Sequence, residues 1–403
     1  MAKTYDAIVV GARCAGSPTA MLLARKGYDV LVVDKATFPS DTMSSHLVHA
    51  PGVAALRRWG LLDNLVATGC PPIETYAVDF GPIRLAGTPK PSDGSSTAYC
   101  PRRTVLDALL VDAAVDAGAE VREHFTVDEV LIEDGHVTGI RGRGADGRSV
   151  TEHARIVIGA DGKGSLVAKA VDAKRYNERP TFEALYYTYF SDLEVDGIEL
   201  YVRPERAWGA IPTHDGLTCV IVGWPRAEFE ANRSDVEGNF FKALELGPAF
   251  AERVRDAQRE ARFVGTGDLP NFYREPYGPG WALVGDAGYH KDPCTAQGIS
   301  DAFRDAELCV RALDEAWSSG RDLGEAMADY QHTRDESTLP LYDFTCQLAA
   351  LEPPPPELQE LLGAVHGNQD AMDAFVSMLA GTVSPAEFFA PENTERIMTG
   401  VAG

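Results

Sequence analysis

The stretch YDAIVVGARCAG, residues 5–16, decides how this chain is read. It begins as a short apolar strand and turns at a glycine, after which SPTAMLLARK, residues 17–26, takes up helical periodicity. YDVLVVD, residues 28–34, is a second buried strand, so the segment forms a complete βαβ unit. A dinucleotide-binding loop, G-x-G-x-x-G, uses its first glycine for a tight turn and its second for close approach to a pyrophosphate. The third lets helix pack on strand. Gly11 and Gly16 keep the first and third jobs, but Arg13 stands in the middle position. Its guanidinium either pairs with phosphate or points to solvent while only its backbone matters. Asp34 ends the second strand, where an acidic side chain takes ribose hydroxyls. Cys14, Ala15 and Lys35 complete the expected loop contacts.

The 403 residues, 45% of them hydrophobic, suffice for two packed domains and a buried ligand cavity. A net charge of -23 repels a phosphate backbone or an anionic bilayer, which disfavours nucleic acid as a partner. The sequence has neither a spanning apolar run nor a signal-peptide layout at its start, so a cytoplasmic protein without stable membrane insertion is expected. The seven cysteines are scattered without a metal-binding spacing, so no metal site is expected.

Beyond residue 100, RRTVLDALLVDAAVDA (102–117) reads as an amphipathic helix, and 127–133 and 136–143 as a hairpin around Asp134-Gly135. ARIVIG (154–159) is another buried strand and leads into ADGKGS. From about Tyr176 the chain is rich in aromatic strands, the texture of an antiparallel sheet. Residues 235–258 look helical, the strand WALVGDAG begins at Trp281, and a long helix covers about 299–316. After Asp322 the chain looks wholly helical, divided by EPPPPE at 352–357.

GADGKGS (159–165) and VGDAGYHKDPCTAQGI (284–299), taken with the opening loop, resemble the ordered fingerprints of the FAD-dependent monooxygenase superfamily, whose fold is that of para-hydroxybenzoate hydroxylase. The resemblance implies an α/β fold: a Rossmann-like FAD-binding domain of residues 1–70, 100–175 and 265–345. An inserted antiparallel β-sheet substrate domain of 71–99 and 176–264 and a helical C-terminal region of 346–403 would complete it. It also implies that Arg103, Asp161 and Gly162 touch the FAD chain, with Arg102 a competitor for the arginine role. Gly285 and Asp286 would hold the ribityl group, and Pro293, Gln297, Gly298 and Ile299 would bring a helix start to the flavin pyrimidine. Ala296 departs from the pattern, which has glycine there.

His46 and Tyr289 are the candidate catalytic side chains, with His49 and His290 behind them. Tyr186, Tyr187, Tyr189, Trp208 and Trp224 could line a cavity, although alternation along a strand sends about half of them elsewhere. The family implies NAD(P)H-dependent hydroxylation or epoxidation with O2, through a flavin C4a-hydroperoxide, of an apolar, aromatic or polyketide-like molecule. Alkene reduction of the geranylgeranyl-reductase kind is the alternative, although Gly209 falls where that signature has tryptophan. Halogenation ranks third, because Lys90 is the only lysine between 36 and 162. The C-terminal helices either cover the cavity or form a dimer contact, so a monomer or a homodimer is expected.

Overall fold

The computed structural model describes residues 3–400. Strand β1 (Thr4–Val10) leads into helix α1 (Gly16–Arg25) and strand β2 (Val30–Val33). Ala7, Ile8 and Val9 are fully buried, as a parallel strand covered on both faces requires. The turn between β1 and α1 is possible only with glycine. Gly11 has φ +104°, and a Cβ on Gly16 would lie 1.7 Å from the Gly11 carbonyl oxygen.

Strands β3 (Tyr76–Asp79) and β4 (Arg84–Gly87) follow, then helix α2 (Arg103–Asp116) and strand β5 (Glu120–Arg122). Strands β6 (Thr126–Glu133) and β7 (His136–Arg143) form the expected hairpin, with Asp134 and Gly135 both at positive φ. Strand β8 (Ser149–Gly159) then pairs with β1. Strands β9 (Glu183–Ser191), β10 (Ile198–Arg203), β11 (Arg206–Pro212) and β12 (Thr218–Pro225) make the aromatic sheet. Strand β13 (Trp281–Leu283) returns to β8, and helices α3 (Gly298–Ser319) and α4 (Leu323–Ala349) follow it. Helices α5 (Pro356–Val365) and α6 (Gln369–Leu379) lead the C-terminal group.

In the first sheet, β5, β2, β1, β8 and β13 are adjacent and parallel in that order. The three glycine-bearing motifs therefore gather at one edge, beyond the carboxyl ends of β1, β8 and β13, with Asp34 beyond β2. Open parallel sheets bind ligands along that edge. In the second sheet β9, β12, β11 and β10 run antiparallel, and β3–β4 extends it. One pairing departs from the antiparallel expectation: β10 and β3 are parallel, being too far apart in the chain for a hairpin to dictate their direction.

Three expected boundaries shift. The helical stretch 235–258 is two helices, Val236–Leu244 and Pro248–Asp256, divided at Gly247-Pro248. Val264–Thr266 still pairs with β9, so the division at 264/265 cuts a strand of the second sheet. The division at 345/346 falls inside α4, which continues through Pro340.

The C-terminal helices cover the cavity. Leu361, Leu362, Phe375 and Met378 share one apolar cluster with Val78, Leu85 and Ile198 of the second sheet. Substituting Gly16→Ala forces α1 off β1, and a loss of about 2 kcal/mol or more is expected, read as a lower thermal midpoint.

Candidate active site

A cavity of about 1710 Å³ runs from the carboxyl edge of the first sheet to the space between the second sheet and the C-terminal helices. Single drug-sized ligands occupy roughly 300–1,000 Å³, so this space has room for a dinucleotide and a second molecule. Gly11, Arg13, Cys14, Ala15, Asp34 and Lys35 line one end. Arg103, Asp161, Gly162, Asp286, Pro293, Gly298 and Ile299 also reach the wall. Gly16, Gly285 and Gln297 stand behind it. Gly285 is needed for packing, since a Cβ there would lie 2.8 Å from the Ala15 methyl.

The Arg13 guanidinium does not point free into solvent but is tied back within the fold. Its Nη1 lies 2.5 Å from Asp107 Oδ2, and its Nη2 donates to Ser40 Oγ at 3.0 Å. Asp107 is fully buried and also accepts a two-pronged bond from Arg103, with Nε and Nη2 each at 3.0 Å. The Cys14 thiol, held protonated by burial, donates to Asp107 Oδ1 at 3.3 Å. Two guanidinium groups against one carboxylate leave a net positive charge on the wall, which suits a diphosphate. Arg102 instead lies over the Tyr189 ring at 4.0 Å, which leaves Arg103 as the arginine on the wall. Asp107 escaped the sequence reading, although its i,i+4 spacing from Arg103 on a helix was a usable signal.

The remaining loops are fastened from behind. Asp34 accepts backbone N–H bonds from Ala12 at 2.7 Å and Ala36 at 2.8 Å. Asp161 Oδ2 accepts from Leu166 N at 2.6 Å, while its Oδ1 is buried without a partner. Arg274, also missed in the sequence, donates to the carbonyls of Ala287 at 2.6 Å and Lys163 at 3.1 Å and so joins the second and third motifs. Burial, helped by nearby Arg175, lowers its pKa to about 10, so it stays charged at neutral pH. Gly162, Gly164 and Gly298 have nothing within 4 Å of where a Cβ would stand. Bare backbone there, a net positive wall and the orphaned Asp161 oxygen fit a bound FAD.

At the other end of the groove, Ala296 occupies the left-handed region with φ +53°, which explains why the family pattern has glycine there. Gln297 Nε2 donates to the Leu379 carbonyl at 2.8 Å, tying the start of α3 to the C-terminal helices. The first N–H groups of α3 have no intrahelical acceptor, so an electron-rich ring edge there would find donors and a favourable dipole.

His46 and Tyr289 lie behind the cavity wall. His46 is fully buried at φ +61°, its Nε2 is 2.6 Å from the Tyr189 hydroxyl, and its Nδ1 has no partner. Burial, with Arg103 and Arg102 adding to it, lowers its pKa to about 3. There it does not line the cavity, and its ring stays uncharged at neutral pH. The Tyr289 phenol accepts from Lys291 Nζ at 2.6 Å, and strand alternation turns His290 to the cavity in its place. His49 does line the cavity. Its Nδ1 is 2.9 Å from the Tyr76 hydroxyl and its Nε2 3.1 Å from the Thr295 carbonyl, which makes Nε2 the protonated nitrogen. Tyr187 and Trp208 line the cavity, whereas Tyr186, Tyr189 and Trp224 pack away from it. Lys90 is exposed and off the wall.

The family model described as "FAD binding domain" matches residues 4–343. The chain belongs to this family of FAD-dependent flavoproteins. The flavoprotein is 30% identical over 339 residues to digeranylgeranylglycerophospholipid reductase 2 of Methanopyrus kandleri, covering 81% of this chain and 80% of that one. It is also 30% identical over 375 residues to kynurenine 3-monooxygenase of Salinispora tropica, covering 84% and 78%. In fold it matches a myxobacterial chondrochloren halogenase with TM-score 0.80 at 22% identity, over 99% of this chain and 98% of that one. Its relatives are reductases, monooxygenases and halogenases, so the flavoprotein is an FAD-dependent oxidoreductase. Among the described residues no helix is long and apolar enough to cross a membrane.

Substituting Asp107→Asn leaves two guanidinium groups without their buried counter-ion, and a cost of about 3–5 kcal/mol with weakened FAD retention is expected in thermal and dialysis assays. The histidines set an acid limit. His46 and His49 titrate at about 3 and about 4 in the fold, both lowered chiefly by burial from 6.5. Below 6.5 the unfolded chain takes up protons that the fold refuses, so stability is complete above that pH and is lost as pH falls toward 4. The thermal midpoint should fall across that interval, and less steeply in His46→Gln.

Proposed function

We propose that the flavoprotein is an NAD(P)H-dependent monooxygenase that hydroxylates or epoxidises an apolar, aromatic or polyketide-like molecule. The observation that carries this reading is one continuous cavity. The cofactor groove opens into a compartment walled by Leu185, Tyr187 and Ile221 of the second sheet and by Leu362, Phe375 and Leu379 of the C-terminal helices. Oxygen transfer needs a dry site beside the cofactor, and apolar walls under a helical cover provide one.

Bound FAD would supply the redox chemistry, with a reduced nicotinamide as electron donor and O2 as co-substrate. Arg13 and Arg103, fixed by Asp107, would hold the diphosphate, and Asp286, exposed at the wall, would take a ribityl hydroxyl. The amides at the start of α3 would stabilise negative charge on the pyrimidine edge. His49 and Tyr76 brace the Thr295 carbonyl and hold the loop before α3 in place. Gly209 lies on the wall of the compartment, where a larger side chain would narrow it. Cytoplasmic action on a diffusible metabolite accords with the net charge of -23.

Alkene reduction is the second reading, favoured by the likeness to the Methanopyrus kandleri reductase. The two separate cleanly when apolar phenols, polyketides and isoprenoid alkenes are incubated with the FAD-loaded protein, NADPH or NADH, and isotope-labelled O2. Mass spectrometry should find one labelled oxygen in the product. A saturated product without label would replace this reading with the reductase.

A further inference from the structure

Glu183, the first residue of β9, and Asp292, in the loop before α3, meet in the cavity wall. They are 2% and 1% exposed, and their oxygens lie within 4.8 Å of each other and of the Cys294 thiol. Asp292 Oδ1 accepts the Cys294 N–H at 3.0 Å, but its Oδ2 is buried without a partner. The neighbouring strand makes room for the pair, since a Cβ on Gly223 would lie 2.6 Å from Glu183 Oε2.

Among the described residues no lysine or arginine forms an ion pair with these carboxyls. Asp292 is the charge felt by Glu183, while the N–H and thiol of Cys294, with His290 nearby, favour the ionised form of Asp292. Lys291, next in the chain, is spent on Asp301 and Tyr289. The thiols of Cys294 and Cys346 face the pair, and Arg179 and Asp343 stand farther out, beside Cys346. Burial raises both carboxyl pKa values, Glu183 far above the usual range, and mutual repulsion adds to the rise at Glu183. Two carboxylates this close in a buried wall cannot both ionise, so the pair holds a proton at neutral pH.

We propose that Glu183 and Asp292 form the polar anchor of the substrate compartment and bind the hydroxyl group of a phenol or enol. The inference rests on the reading of that compartment as the substrate site. A pair sharing one proton keeps a negative charge and open acceptor oxygens, so it needs a hydrogen-bond donor. A pure hydrocarbon leaves those oxygens unsatisfied, and a carboxylate or phosphate is repelled. A hydroxyl on an electron-rich apolar body supplies the donor. It also fixes which carbon faces the flavin.

The FAD-loaded protein tests this without turnover. Its infrared spectrum at neutral pH should contain a protonated-carboxyl band that disappears in Glu183→Gln, which distinguishes it from any band of buried Asp305. Flavin absorbance changes should report para-hexylphenol binding about tenfold or more tighter than its methyl ether. Glu183→Leu should bring the two ligands within about twofold, while Glu183→Gln, which keeps an acceptor oxygen, should retain most of the preference. A missing band, equal binding of phenol and ether, tighter binding of para-hexylbenzylamine, or a divalent metal held stoichiometrically by the pair would each overturn the proposal. None of these outcomes bears on whether labelled oxygen enters a product, so the two readings fail separately.

Discussion

The Asp107 carboxylate is sealed from solvent between the guanidinium groups of Arg13 and Arg103, with the Cys14 thiol as a third donor. Burying a carboxylate costs several kcal/mol, and only well-formed charged bonds offset it. Here those bonds come from the loop after β1 and from the start of α2, two segments about ninety residues apart in the chain. The ion cluster therefore fixes the path of the loop and its distance from α2. It also leaves an excess positive charge at the point where the parallel strands end. The overall charge of -23 makes that local excess stand out to an anionic cofactor.

The parts of the site legible in the sequence are those set by backbone geometry over a few residues. Gly11 and Gly16 are demanded by a turn and a close crossing, and the loops at 159–165 and 284–299 announce themselves by the same kind of local constraint. Even the exception at Ala296 becomes intelligible, because a left-handed residue there tolerates alanine at a modest cost. The position of Arg13 was readable, but its partner was not, because Asp107 acts across two elements.

Side-chain direction was harder to read. His46 and His49 sit three residues apart, and only the fold reveals that one is packed against Tyr189 while the other braces Thr295. Tyr289 and His290 are neighbours on a strand, so an error of one residue exchanges wall for core. The same alternation, where it could be counted, separated Tyr187 from Tyr186. Glu183 carried no local signal at all, since its meaning comes from Asp292, 109 positions later. The division at 345/346 falls within α4, a helix that continues to Ala349.

The family match ends at residue 343, yet Leu362, Phe375, Leu379 and Phe389 wall the cavity beyond it. The compartment is thus enclosed by two stretches of chain, the second sheet within the matched residues and the helices beyond them, stitched together by the amide of Gln297 on the Leu379 carbonyl. A change of side chain in the tail would move one wall of the compartment while leaving the glycine loops of the first sheet where they are.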